Sequence, residues 1–300
     1  MSKNVALVLS SGGARGVAHI GVIEELTRSG YTITSVAGSS MGAVVGGMLA
    51  HGKLPEFTEW LLGFGKMDVI KLMDITMGHG GLIKGEKVIK ALEDFYGDVN
   101  IEDLAIPFSC VAADLVGHKE YVFDKGSLLL AIRASGSIPT VVLPVSLNGM
   151  VLVDGGVLNP LPLDLVKRTE DDILIAVNVN ANVPYDIPVQ KPEQADLVNY
   201  FDKMRAALNE KWAGVIDHYI EKYRSGKQPK PKAANMFDII SESIILAQNK
   251  VAGIYIEKYK PDILVETSVD LASTFDFYKS EELIEAGRVA CRKALDDWEG

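Results

Sequence analysis

The chain has only two cysteines among its 300 residues. They lie 181 residues apart in the sequence and have no C-x-x-C partner. Cys110 and Cys291 both sit in apolar patterns, so buried free thiols and a reducing, cytoplasmic setting are expected. There is no apolar run of about 18 residues, the length needed to cross a bilayer, so any contact with membrane lipid is expected to be peripheral. The apolar stretch near the N-terminus is too short and too soon broken by glycines and a charge to be a signal peptide, and it reads as a buried strand. Positive charge is also in deficit. With Lys+Arg 30 against Asp+Glu 40, the formal charge of −10 excludes a surface built to neutralise nucleic-acid phosphates. Neither G-x-G-x-x-G nor G-x-x-x-x-G-K-[ST] occurs, so the two common nucleotide-phosphate cradles are missing.

What remains is the composition of an ordered globular protein, 48% hydrophobic and 23% charged. Short apolar runs recur at 4–10, 32–38, 106–115, 150–156, 173–180 and 262–268. Helix-length amphipathic stretches lie at 15–29, 41–52, 86–96 and 126–135. This alternation predicts an α/β fold, layered, with a mostly parallel sheet and helices on both faces. A proline-bearing linker after residue 181 precedes apolar residues at helical spacing from Leu197 to Tyr223. A basic loop (225–235) then leads to a second helical pattern at 236–258. Residues 181–260 are therefore expected to form a helical hairpin inserted into a single catalytic domain that spans the chain. Ser280 is expected to cap the final helix.

Two glycine-bearing turns carry the chemistry. "GSSMG" (38–42) satisfies G-x-S-x-G between a predicted strand and a predicted helix. Gly38 and Gly42 would allow a tight reversal on which Ser40 projects at the carboxyl edge of the sheet, facing the free amides of the helix that follows. The alternative is that Ser40 merely caps that helix. The first strand ends in "SSGGARG" (10–16). If the first two strands are parallel, this turn emerges on the same edge as Ser40, and the amides of Gly12 and Gly13 are candidates for an oxyanion hole.

A Ser-Asp-His order would require a histidine after a late strand, and none of His51, His79, His118 and His218 lies there. His19, one turn into the first helix, reads as a structural residue. Asp154 ends an apolar strand and is followed by Gly155 and Gly156, which would let another chain segment come close. A carboxylate beside a serine can take its proton, so Ser40 and Asp154 are candidates for a two-residue dyad. Asp114, which also ends a strand, is the competing carboxylate. Either aspartate could instead serve as a turn residue.

"LVLSSGGARGVAHIGVIEEL", "GSSMGAVVGG" and "VDGGVLNPLPLD", in this order, resemble the bacterial patatin-like phospholipases over roughly residues 4–180. The resemblance implies a lipid acyl hydrolase with Ser40 as nucleophile, Asp154 as its partner in the D-G-G motif, Gly12 and Gly13 in the oxyanion loop and Arg15 at that loop's basic position. Ser11 stands where many members carry a glycine.

The expected activity is hydrolysis of acyl-ester lipids or simple esters through an acyl-enzyme, with no metal and no cofactor required. A non-catalytic α/β module that binds a phosphate or a protein partner is the alternative. Residues 53–85 are expected to cover the site, with Leu61, Leu62 and Phe64 either meeting acyl chains or packing as an ordinary helix. Lys222, Arg224, Lys227, Lys230 and Lys232 are candidates for anionic headgroups at a membrane surface.

Overall fold

A computed structural model of the chain describes residues 3–65, 68, 84–184 and 236–299. Internal contacts divide it into two compact units, Met1–Tyr185 with Gln248–Gly300, and Asp186–Ala247. The helix expected over 197–223, the basic loop and most of the expected cover lie outside the described residues. Among the described residues, no helix is long and apolar enough to cross a membrane.

The first unit is built on an eight-stranded sheet. Its strands are β1 (Asn4–Leu9), β2 (Thr32–Ser39), β3 (Phe108–Asp114), β4 (Lys119–Phe123), β5 (Val145–Leu147), β6 (Met150–Asp154), β7 (Ile173–Ala181) and β8 (Ile263–Ser268). The order is β5-β6-β3-β2-β1-β7-β8, with β4 paired to β3 off this path. The pairs β1/β2, β1/β7, β2/β3 and β7/β8 are parallel. The pairs β3/β4, β3/β6 and β5/β6 are antiparallel. The expected α/β fold is thus present, with a parallel centre and an antiparallel flank.

The helices are α1 (Ala18–Arg28), α2 (Met41–Ala50), α3 (Leu54–Leu62), α4 (Glu86–Tyr96), α5 (Leu128–Ser135), α6 (Met236–Tyr259) and α7 (Ser280–Glu299). The first helix is shorter than its amphipathic pattern, because Gly13–Val17 winds as a 3-10 turn before α1 begins. Ser280 does not cap α7: it is already helical, and its hydroxyl donates to the Phe277 carbonyl.

Alternation along β1 supplies two apolar layers. Val5, Leu7 and Leu9 pack with Ala18, Val22, Leu26 and Ile284 in the larger core, where helices cover the sheet. Ala6 and Val8 face the other way, against Leu161, Leu163, Val166 and Ala252 of α6. Leu7 and Leu9 are fully buried, and each such side chain contributes about 1.5–3 kcal/mol relative to exposure. That rigid centre fixes where the β1 and β2 ends emerge.

The register of β3 positions the site. Its residues Cys110–Asp114 pair with β4 along one edge. On the other edge, Phe108–Val111 pair with β2 and Ala112–Asp114 pair with β6. β2 and β6 therefore lie on the same side of β3 and run towards each other. β2 stops at Ser39, opposite Val111, and β6 stops at Asp154, opposite the adjacent Ala112. Residues 40 and 154 meet at that junction.

Candidate active site

Ser40 follows the last residue of β2 and precedes α2, with φ 54 and ψ −121. A non-glycine residue with positive φ stores roughly 1–3 kcal/mol of strain, held by its surroundings. Gly38 and Gly42 make the reversal possible. A Cβ on Gly38 would lie 2.3 Å from the Gly42 carbonyl oxygen, and one on Gly42 would lie 2.3 Å from the Leu9 carbonyl oxygen. Those neighbours are backbone atoms that cannot swing aside, so these two positions exclude side chains.

The Ser40 hydroxyl makes no capping bond to α2. It donates instead to Asp154 Oδ2 at 2.5 Å. The two side chains are 4% and 3% exposed, so this bond is shielded from water. Asp154 Oδ1 accepts the Gly156 amide at 2.7 Å, which fixes the plane of the carboxyl group. Gly155 lets β6 turn against β3, since a Cβ there would fall 2.1 Å from the Val111 carbonyl oxygen. Burial raises the Asp154 pKa to about 6, with the bonds from Ser40 and Gly156 pulling the other way. At neutral pH the group is mainly a carboxylate, and a stronger base than an exposed aspartate.

The glycine turn after β1 adjoins this pair. Its approach to α2 is close: a Cβ on Gly16 would meet the Met41 side chain at 2.6 Å. The amides of Gly12 and Gly13 have no acceptor among the described residues. Arg15, 5% exposed, donates from Nε to Asn180 Oδ1 and from Nη1 to the Ala272 carbonyl, both at 2.8 Å. Asn180 Nδ2 in turn donates to the Ser11 carbonyl at 2.7 Å. Arg15 is thereby a buried brace for the turn, joining it to β7 and to the segment after β8. Ser11 donates its amide to the Pro160 carbonyl at 2.8 Å, and its hydroxyl is buried and without a partner among the described residues.

The remaining candidates separate from the pair. Asp114 Oδ1 accepts the amides of Val116 at 3.0 Å and Val151 at 3.4 Å, holding the β3–β4 turn and the start of β6. It is a turn residue. His19 Nε2 donates to the Ser10 carbonyl at 2.9 Å, and burial drives its pKa down to about 4, leaving it neutral. His51 follows α2 at its far end, and His118 occupies the β3–β4 turn. No imidazole among the described residues is hydrogen-bonded to Ser40; His79 and His218 lie outside them. Leu61 is buried and Phe64 packs on the core, whereas Leu62 is 49% exposed. Both cysteines are buried and free, and burial raises both thiol pKa values.

Two contacts were not legible in the sequence. Asn180, the partner of Arg15, lies in a strand that reads as uniformly apolar apart from its asparagines. Ser135, at the end of α5, accepts the Ser40 amide at 2.8 Å across 95 residues of sequence. Its surroundings, "ASGS", read only as a helix terminus.

Known proteins share this arrangement of sequence and fold. The family model for the patatin-like phospholipases matches residues 7–167. An uncharacterized NTE family protein of Mycobacterium bovis is 33% identical over 336 aligned positions, which cover 99% of this chain and 93% of that protein. A protein named lysophospholipase NTE1 from Debaryomyces hansenii is 26% identical, and the alignment covers 99% of this chain but 18% of that much longer protein. In fold, the chain is similar to VipD from Legionella pneumophila, with a TM-score of 0.54, 16% identity and coverage of 99% of this chain and 67% of that one. With more than half its length matched by the family model and a third of its residues shared with a relative along nearly all of it, the chain belongs to the patatin-like phospholipase family of lipid ester hydrolases.

Proposed function

We propose that this protein hydrolyses acyl-ester lipids with a Ser40-Asp154 dyad. The observation that carries the reading is the 2.5 Å bond between the Ser40 hydroxyl and Asp154 Oδ2 in a buried site, with the serine on a strained reversal. Asp154 takes the hydroxyl proton as Ser40 Oγ attacks the ester carbonyl carbon. The carbonyl oxygen becomes an oxyanion, stabilised by the amides of Gly12 and Gly13 and by the first turn of α2. When the intermediate collapses, the ester C–O bond breaks and the leaving alcohol receives the proton from Asp154, leaving an acyl group on Ser40. Water then attacks that acyl carbon and gives a proton to Asp154. Ser40 departs with that proton, and the fatty acid is released.

The substrate class that fits best is a monoacyl or diacyl phospholipid, with simple carboxylic esters as short surrogates. The name of the yeast relative makes lysophospholipids the first to assay. Access to such lipids would be peripheral, at a membrane surface or from micelles. The test uses a fluorophosphonate probe with peptide mapping, beside turnover of a short p-nitrophenyl ester. Labelling should map to Ser40, and Ser40→Ala and Asp154→Asn should each lose turnover by a factor of about a thousand or more while staying folded. Near-normal turnover in either folded variant would refute the dyad.

A further inference from the structure

We infer that Ser135 is a positioning residue for this chemistry, which holds the nucleophile's backbone in its strained form through one hydrogen bond; the inference rests on the dyad reading above. Ser135 is the last residue of α5 and is wholly buried. Its hydroxyl oxygen accepts the Ser40 amide at 2.8 Å. Two residues later, the Ser137 carbonyl accepts the Asp154 amide at 2.9 Å. One short turn, Ser135-Gly136-Ser137, thus grips the main chain of both members of the pair.

β3 brings the two strand ends together, with Val111 opposite Ser39 and Ala112 opposite Asp154, and the Ser135–Ser137 turn adds a second tie to the main chain of Ser40 and Asp154. β2 and β6 share the edge of β3 end to end, and they do not pair with each other. The β2 ladder stops at Ser39, so the Ser40 amide is the first donor past the strand, and it points to a side chain instead of a carbonyl. A buried amide without an acceptor is costly, and at φ 54 the chain already stores strain. Removing the Ser135 hydroxyl would let the reversal relax and carry Ser40 Oγ away from Asp154 Oδ2.

The gripping turn is itself fixed. The Gly136 amide donates to the Ile132 carbonyl at 2.9 Å, and the Ser137 amide to the Ala134 carbonyl at 3.2 Å. The Ser137 hydroxyl donates to the Arg133 carbonyl at 2.8 Å and accepts from Arg133 Nη1 at 2.6 Å. Arg133 Nη2 donates to the Leu143 carbonyl at 2.8 Å. By contrast, the Ser40 amide is the one hydrogen-bond partner of the Ser135 hydroxyl among the described residues. Substitution at Ser135 therefore deletes a single bond.

This geometry predicts a loss in the chemical step and none in substrate affinity. In Ser135→Ala, kcat for a short p-nitrophenyl ester should fall about ten- to a hundredfold, with KM within about twofold of wild type. The rate of fluorophosphonate labelling at Ser40 should fall in parallel, since it reports the same attacking oxygen. Ser135→Thr, which keeps an acceptor in place, should recover most of both rates. Circular dichroism and melting temperature are measured for each variant, so that folded protein alone is compared.

Turnover of folded Ser135→Ala within about threefold of wild type would overturn the inference, as would a loss confined to KM or a Ser135→Thr variant as slow as the alanine one. Failure of both variants to fold would assign the bond to folding and equally overturn a positioning role. Ser40→Ala and Asp154→Asn run alongside: if either remains active, the dyad itself fails, whereas inactive dyad variants beside a normal Ser135→Ala sink this inference alone.

Discussion

Asp154→Asn should abolish turnover and at the same time stabilise the protein, by an amount that depends on pH. The carboxyl group is held in a buried site where its pKa rises from 3.8 to about 6. A raised carboxyl pKa means that the folded state binds the proton more tightly than the unfolded state does. Stability from this group is therefore fully present below the unfolded pKa and is lost as pH rises through the folded one. A rise of that size corresponds to about 3 kcal/mol of destabilisation once the group is ionised in both states. Because the unfolded aspartate is already ionised at about pH 5, roughly half of that penalty is present there, and the remaining ~1–2 kcal/mol develops between about pH 5 and pH 8. Asparagine keeps the shape, can still accept from the Gly156 amide, and has no charge to desolvate. Equilibrium urea unfolding of both proteins at these two pH values gives the test. The stability of the variant relative to wild type should increase by roughly 1–2 kcal/mol from pH 5 to pH 8. A difference that is constant with pH, or that shrinks as pH rises, would refute a buried, ionisation-penalised Asp154.

On the dyad proposal the same pKa should set the pH profile of catalysis: kcat/KM for a short ester should be level above about pH 7 and fall about tenfold per pH unit well below pH 6, and an unchanged rate between pH 5 and pH 7 would rule out Asp154 as the base. Gly42→Ala should cost about 1–3 kcal/mol, because its methyl would press on the backbone carbonyls of Leu9 and Ser10 at 2.3 and 2.6 Å. It should also slow fluorophosphonate labelling at Ser40. Melting temperature and labelling rate measured together check this, and a variant with wild-type values for both would contradict the packing argument.

How far the sequence exposed this site depends on the kind of constraint each residue obeys. Ser40 and Asp154 were legible because close backbone approaches impose a local signature: glycines at 38, 42 and 155 are required by carbonyl oxygens lying where a Cβ would stand. The central strands were legible for a similar reason, since burial on both faces demands uninterrupted apolar runs such as "VALVL" in β1. β4 and β5 left no such trace. They are short and half exposed, and cross-strand pairing with β3 and β6 makes them strands, although their own patterns do not. Direction was equally hidden, because "MVLVD" has the same apolar content whichever way β6 runs. Yet direction is what matters here, since an antiparallel β6 brings Asp154 head-on to the end of β2. Ser135 marks the limit of local reading: its hydroxyl matters through one bond to an amide 95 residues away, and a small polar residue at a helix end satisfies local rules whether or not that bond exists. Motifs in this chain thus point to the serine and aspartate proposed to react, while the groups that hold them in place become visible only through pairing and register.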